Sequence, residues 1–280
     1  MFIYKSRFMT RGEVWYDEEP DGAQVDWIYH RQRSSPRANY RCRETQTRLI
    51  PLQKPPAALL GAMEEKTARK IKEAQEKDGL RWERCGRRDL GALDKAEAMW
   101  NEFAVAQKTP LFERAWVDQM FAAGMLDIAL ARDPAGNILA YHLVFLTPKR
   151  ARQLVAISPY KAAPSVAWRT AVSRANCFIH WHNFLAYQEQ GIPHFDFGGW
   201  HVGKTDIRLL AINSFKKSFG GSVVREYDCD QPVTAKGWFL LTMAQVLARL
   251  KNAGPPARTE NAERSYAPPA EDRQVSPALR

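Results

Sequence analysis

Three β-prone runs joined by two tight turns, followed at once by a 25-residue helical segment and a further short strand, constrain this chain more than any other feature. The runs are Leu126–Ala131, Ile138–Leu146 and Arg152–Ile157. The turns are Asp133-Pro134-Ala135-Gly136-Asn137 and the basic Thr147–Arg150. Connections this short make antiparallel neighbours, so the three form a meander. Val166–Gln190 then places Trp168, Val172, Ala175, Ile179 and Leu185 on or near one helical face, and Gly191 stops it. His194–Phe197 follows as a buried strand and ends at Gly198-Gly199. A meander running on into helix–strand units packs as a mixed, strongly twisted sheet with helices on both faces.

The flanking segments fit that α/β plan. Gly12–Tyr16 and Val25–His30 read as short strands around the turn Glu19-Pro20-Asp21-Gly22, so residues 1–55 are expected to be a β and loop extension. In Ala57–Lys77, Leu60, Met63, Thr67, Ile71 and Ala74 recur at three- and four-residue steps, predicting one amphipathic helix ended by Gly79. A strand at Leu80–Cys85 and helices over Asp89–Gln107 and Leu111–Ala123 follow. Asp206–Ser218 reads as a helix broken by Gly220-Gly221, Ser222–Asp228 as a strand and Lys236–Lys251 as a last helix. The main domain is thus expected over 56–252. Residues 253–280, rich in proline and nearly without aromatic residues, are expected to be a disordered tail.

Composition narrows the function classes. With 45% hydrophobic and 26% charged residues among 280, the chain is expected to be globular. No run approaches the ~20 apolar residues of a spanning helix, and Met1–Phe8 lacks the apolar core of a secretory signal, so a cytoplasmic protein is expected. Cys42, Cys85, Cys177 and Cys229 form no CxxC pair and are expected to be buried free thiols. His180-Trp181-His182 sits two apart on a helix, about 200° around the axis, so no shared metal ion is expected. The formal charge is +10, concentrated between Arg31 and Arg48, where Arg33, Arg37, Arg41 and Arg43 face only Glu44; this segment is either an anion-attracting surface or a solvated loop.

Two stretches carry a resemblance. Lys66-Thr67-Ala68-Arg69-Lys70-Ile71-Lys72-Glu73-Ala74, followed by Asp78-Gly79-Leu80, is similar to an "R-x-x-I-R-K-A…G-V" helix leading into a first strand. Phe195-Asp196-Phe197-Gly198-Gly199, then Phe215-Lys216-Lys217-Ser218-Phe219-Gly220-Gly221, is similar to a "Y-D-hydrophobic-G-G … F-K-x-x-F-G" pair. With Gln188-Glu189-Gln190-Gly191 ending the helix between, the chain resembles the GNAT acyltransferase superfamily, in its FemAB-like, peptidoglycan-bridge-forming branch, over roughly residues 47–228.

The resemblance implies acyl transfer within a GNAT fold whose sheet splays near its middle. Arg152–Ile157 and His194–Phe197 are then the expected walls of the splay. When an amine attacks a thioester or ester carbonyl, charge builds on the oxygen, and fixed donors near it are the largest expected catalytic term. Lys216, in the position of the family's F-K lysine, is expected to stabilise that charge or pair with a donor phosphate. Gly198 and Gly199 would let the backbone approach the ligand. Trp200, Phe215, Tyr160 and Arg152 complete the expected binding residues. For proton removal, His201 has the right intrinsic pKa, and Asp196 is either a buried carboxylate or a cap on the Gly-Gly segment. The helix Asp206–Ser218 contains no tyrosine, which many GNAT enzymes use there as general acid.

The donor stays open between acyl-CoA or another acyl thioester, an acyl-carrier protein and aminoacyl-tRNA, because Ser158–Ser165 holds no glycine-rich phosphate turn before the long helix. Residues 1–55 are too short for the complete first half of a two-half bridge-forming enzyme. This favours acyl transfer to an amino sugar, amino acid or cell-envelope precursor over tRNA-dependent transfer or a non-catalytic scaffold for an anionic ligand.

Overall fold

The computed structural model describes residues 1–252 except 7, 23, 87, 88, 108 and 160–164. Tyr160 and the expected tail at 253–280 lie outside the described residues. Residues 1–51 supply β1 (Phe2–Ser6), β2 (Met9–Trp15), β3 (Trp27–Arg33) and β4 (Arg41–Pro51). Then come α1 (Pro56–Gly61), α2 (Glu65–Glu76), β5 (Arg81–Cys85), α3 (Leu90–Gln107), α4 (Arg114–Ala122) and the meander β6 (Leu126–Arg132), β7 (Ile138–Leu146) and β8 (Ala151–Ile157). The chain continues through α5 (Val166–Glu189), β9 (His194–Gly199), α6 (Ile207–Lys217), β10 (Ser222–Pro232) and α7 (Ala235–Asn252). Among the described residues no helix is long and apolar enough to cross a membrane.

All these strands share one sheet in the order β1-β2-β3-β10-β4-β9-β8-β7-β6-β5, so the N-terminal strands are hydrogen-bonded into the same layer as the rest. Alternation along β7 shows how its two faces are used. Tyr141, Leu143 and Phe145 join Leu93, Ala96 and Trp100 of α3 and Trp116 and Met120 of α4. Ala140, Val144 and Leu146 point the other way, toward the clusters holding Ile71 and Ala74 of α2 and Val172, Ile179 and Phe184 of α5. Burying one such large side chain stabilises by about 1.5–3 kcal/mol, so two covered faces account for most of the fold's cohesion.

The far edge of the sheet curls back. Trp15 lies 4.9 Å and Phe2 5.6 Å, ring centre to ring centre, from Phe145, so β1 and β2 fold over the α3–α4 face of β7 and β8. This curl encloses the site described below.

Two expectations need correcting. The single helix predicted over Ala57–Lys77 is two, because α1 stops after Gly61, a poor helix former, and the Glu64 amide turns to donate to Ser218 O at 2.8 Å. The break keeps both Leu59 and Met63 in the core. The thiols of Cys42 and Cys229 are not free: the antiparallel β4–β10 ladder sets them directly opposite, and they form a disulfide. Their separation of 187 residues hides that pairing from a linear reading. Cys85 and Cys177 are free thiols.

Candidate active site

The parallel pair β8–β9 is joined only at Ala151↔Phe195 and Arg152↔Asp196. Beyond those two steps the strands part, while β8 stays paired to β7 and β9 to β4. A parallel ladder that stops halfway leaves backbone donors and acceptors facing a gap. The gap opens into a cavity of about 530 Å³ whose lining includes Gln153, Leu154, Phe197, Gly198 and Gly199 from the two parted strands. The opposite wall comes from the curled edge, with Tyr4, Arg11, Trp15, Trp27, Tyr29 and Arg31. Trp116, from α4, and Trp200 also line the cavity.

Gly198 sits at φ +74°, in the left-handed region that favours glycine. A Cβ there would stand 3.6 Å from Gln153 O, filling the floor of the gap. Asp196 fixes this turn. Its Oδ1 accepts from the Gly198 amide at 2.8 Å and from the Thr47 hydroxyl; its Oδ2 accepts from Gln32 Nε2 at 2.9 Å and Arg152 at 3.1 Å. Burial alone would raise the Asp196 carboxyl, but the Arg152 and Arg150 guanidiniums, with the Thr47 and Gln32 hydrogen bonds, hold it below the ordinary range. An ionised carboxylate with all its oxygens engaged positions the backbone and is a poor proton acceptor.

Lys216 is 3% exposed, on the last turn of α6, and its Nζ donates to Gly199 O. The ammonium therefore points inward, directly behind the glycine pair that lines the cavity. Beside it His180 places Nδ1 2.6 Å from Asn176 O and Nε2 3.0 Å from the Gln153 side-chain amide. Burial pushes His180 down to about 3, so the ring is neutral next to the Lys216 charge. His182 stacks on Trp82 instead, so the two helix histidines face different surroundings.

The remaining expected residues divide. Arg152 and Trp200 line the cavity; the Arg152 guanidinium lies 5.5 Å from the Trp15 ring centre, and Trp200 carries Arg48 at 5.2 Å. Phe215 does not line it: the ring packs edge-on against His180 and Phe219 in the α5–α6 core. His201 does not line it either, because Asn213 grips its backbone at both N and O and the ring folds against Gly203. Sequence reasoning missed Gln32, Thr47, Gln153 and the N-terminal aromatics. Gln32 takes φ +52°, a strained value for a side chain with a Cβ, and bridges Asp196 and Glu226 with one amide nitrogen.

Glu226 pairs with Arg150 and accepts from Gln32 Nε2 at 2.6 Å. Burial, then the Asp196 charge, push its carboxyl up to about 7, against the pull of Arg150. A folded-state value above the unfolded one means folded protein holds the proton longer. The stability this gives is complete below the unfolded value of 4.5 and is lost as pH rises through about 7. Glu226→Gln, neutral throughout, is expected to flatten the stability decline between about pH 5 and 8. Urea midpoints across that window check this; a variant keeping the wild-type slope would contradict it.

No family model matches the chain, and no curated protein matches it. Among solved structures it is similar to FemX, at 14% identity and a TM-score of 0.55, over 70% of this chain and 63% of that one. The likeness is one of fold, and the fold is FemX-like. The chain thus spans 63% of the length of FemX. It is also similar to the C-terminal DUF2156 domain of a putative lysylphosphatidylglycerol synthetase from Agrobacterium fabrum, at 17% identity and a TM-score of 0.50, over 79% and 72% of the two chains. In this FemX-like fold, the parted strands and the curled N-terminal edge meet at one cavity.

Proposed function

We propose that the chain is an N-acyltransferase that moves an acyl group from a thioester donor, acyl-CoA in our reading, to an amine of an amino sugar, amino acid or cell-envelope precursor. The observation that carries this is the β8–β9 gap, floored by Gly198-Gly199 and backed by a buried ammonium. The acyl carbonyl seats in the gap, with its oxygen toward unpaired backbone donors. The amine nitrogen attacks the carbonyl carbon, the tetrahedral intermediate carries negative charge on oxygen, and collapse breaks the C–S bond. The thiolate takes the proton that the amine gives up. Lys216 contributes positive potential at the moment charge develops and holds Gly199 in place.

Aminoacyl-tRNA is the second reading of the donor, favoured by the formal charge of +10. Three cavity arginines weigh against it, since Arg31, Arg43 and Arg152 are engaged by Glu13, Asp228 and Asp196 at 2.9, 3.5 and 3.1 Å. Thermal unfolding with each donor separates the two. The expected result is a rise in Tm with CoA thioesters that grows with concentration, the added stability being about 2.7 kcal/mol at a hundredfold excess over Kd, and none with RNA. A rise with RNA alone, steeply weakened by salt, would replace the thioester by tRNA.

A further inference from the structure

The cavity wall contributed by the curled edge is built of planar groups. The Arg31 guanidinium lies 4.5 Å from the Tyr29 ring centre, 5.3 Å from Trp15 and 5.4 Å from Trp116. The Arg11 guanidinium lies 4.5 Å from Trp27, which itself sits 5.8 Å from Tyr29. Flat rings and guanidiniums alternating in one wall favour a flat ring inserted among them, since each face offers stacking or cation–π contact.

Charge in the wall is unevenly settled. Arg31 is answered by Glu13, itself fully buried and gripped by Trp116 Nε1 at 2.9 Å. Arg43 and Arg152 are answered by Asp228 and Asp196. Among the described residues Arg11 has no carboxylate within ion-pair distance; its guanidinium is hydrogen-bonded to the Tyr4 hydroxyl, and its Nε has no hydrogen-bond partner. A cation held among aromatic rings without a counter-charge leaves free energy that an arriving carboxylate would return.

We propose that this cavity binds an aromatic amino acid, its ring stacked against Trp27 and its carboxylate at Arg11, and turns the amine toward Gly198-Gly199. The assignment rests on the acyl-transfer reading for the fate of that amine: the N–C bond forms as the C–S bond of the thioester breaks, and the thiolate takes the amine's proton. About 530 Å³, within the roughly 300–1,000 Å³ of small-molecule sites, accommodates such an acceptor beside the acyl end of a donor.

The test is calorimetric titration of the full chain with L-tryptophan and L-phenylalanine. Phenylalaninamide, cyclohexylalanine and glucosamine 6-phosphate serve as controls. Binding is expected for the two aromatic acids, at least tenfold weaker for the amide and for the saturated ring. Arg11→Gln, checked for native circular dichroism, is expected to lose the same factor and erase the acid-versus-amide difference. Should that variant misfold, Arg11→Lys, which keeps the charge and loses the planar fork, is expected to weaken the acid several-fold and leave the amide unmoved. No binding of either aromatic acid, or tighter binding of glucosamine 6-phosphate, would overturn the assignment. Aromatic binding without acylation by any thioester supports the pocket and sinks the transferase reading. Acylation of amines with no aromatic preference does the reverse.

Discussion

Replacing Asp196 by alanine is expected to lower the unfolding free energy by about 3–5 kcal/mol, the cost of stripping one partner from a buried ion pair. The carboxylate is 0% exposed and serves Arg152, Arg150, Thr47, Gln32 and the Gly198 amide at once. Its loss leaves Arg150 with Glu226, Arg152 without the carboxylate it contacts, and a buried amide without its acceptor, and each such orphan is itself worth about 1–3 kcal/mol. Asp196→Asn keeps the shape and one acceptor oxygen but turns an NH2 group toward a cation. Its cost is expected to be about half that of alanine. Urea unfolding read by tryptophan fluorescence measures both; an alanine variant within 1 kcal/mol of wild type would show that the network is not what holds the β8–β9 gap in shape.

Lys216→Met is expected to reduce the turnover number for acyl transfer by about 10²–10³-fold, the usual effect of losing one charge-stabilising donor at an acyl-transfer site. Methionine keeps the length and is apolar at this buried position near the neutral His180 ring, so the fold is expected to survive. Lys216→Arg should recover part of the rate, because charge is restored without the same reach to Gly199 O. The readout that separates a catalytic from a purely structural role is the split between turnover and KM. A loss confined to turnover fits charge stabilisation, and an unchanged rate would remove Lys216 from the reaction.

The sequence made the central part of the fold legible and the cavity wall nearly illegible, for physical reasons. Ile138–Leu146 is strongly apolar between two turn signals, and β7 has those bounds. By contrast β4, in the middle of the sheet, reads Arg41-Cys-Arg-Glu-Thr-Gln-Thr-Arg-Leu-Ile-Pro51, with apolar residues gathered at one end. Its burial is achieved by polar partners, such as Thr47 on Asp196 and Arg48 on Gly220 O and Gly221 O, which leave no hydrophobic period. The arginine-rich stretch at 31–48 is mostly folded strand, with Arg31, Arg33 and Arg43 paired to Glu13, Asp17 and Asp228, and only residues 34–40 form a loop between β3 and β4. His201 and Phe215 were plausible by chemistry and motif, but whether a loop residue turns toward a cavity is decided by backbone grips such as that of Asn213, which no local pattern encodes.

The most direct measurement is amide hydrogen exchange with and without a non-transferable thioether analogue of acyl-CoA at saturating concentration. A donor seated as proposed should slow exchange at Gln153–Ile157 and at Phe197–Gly199, the backbone on the two sides of the parted strands. Saturation of the protein with no change at either segment would place the ligand elsewhere and contradict the account.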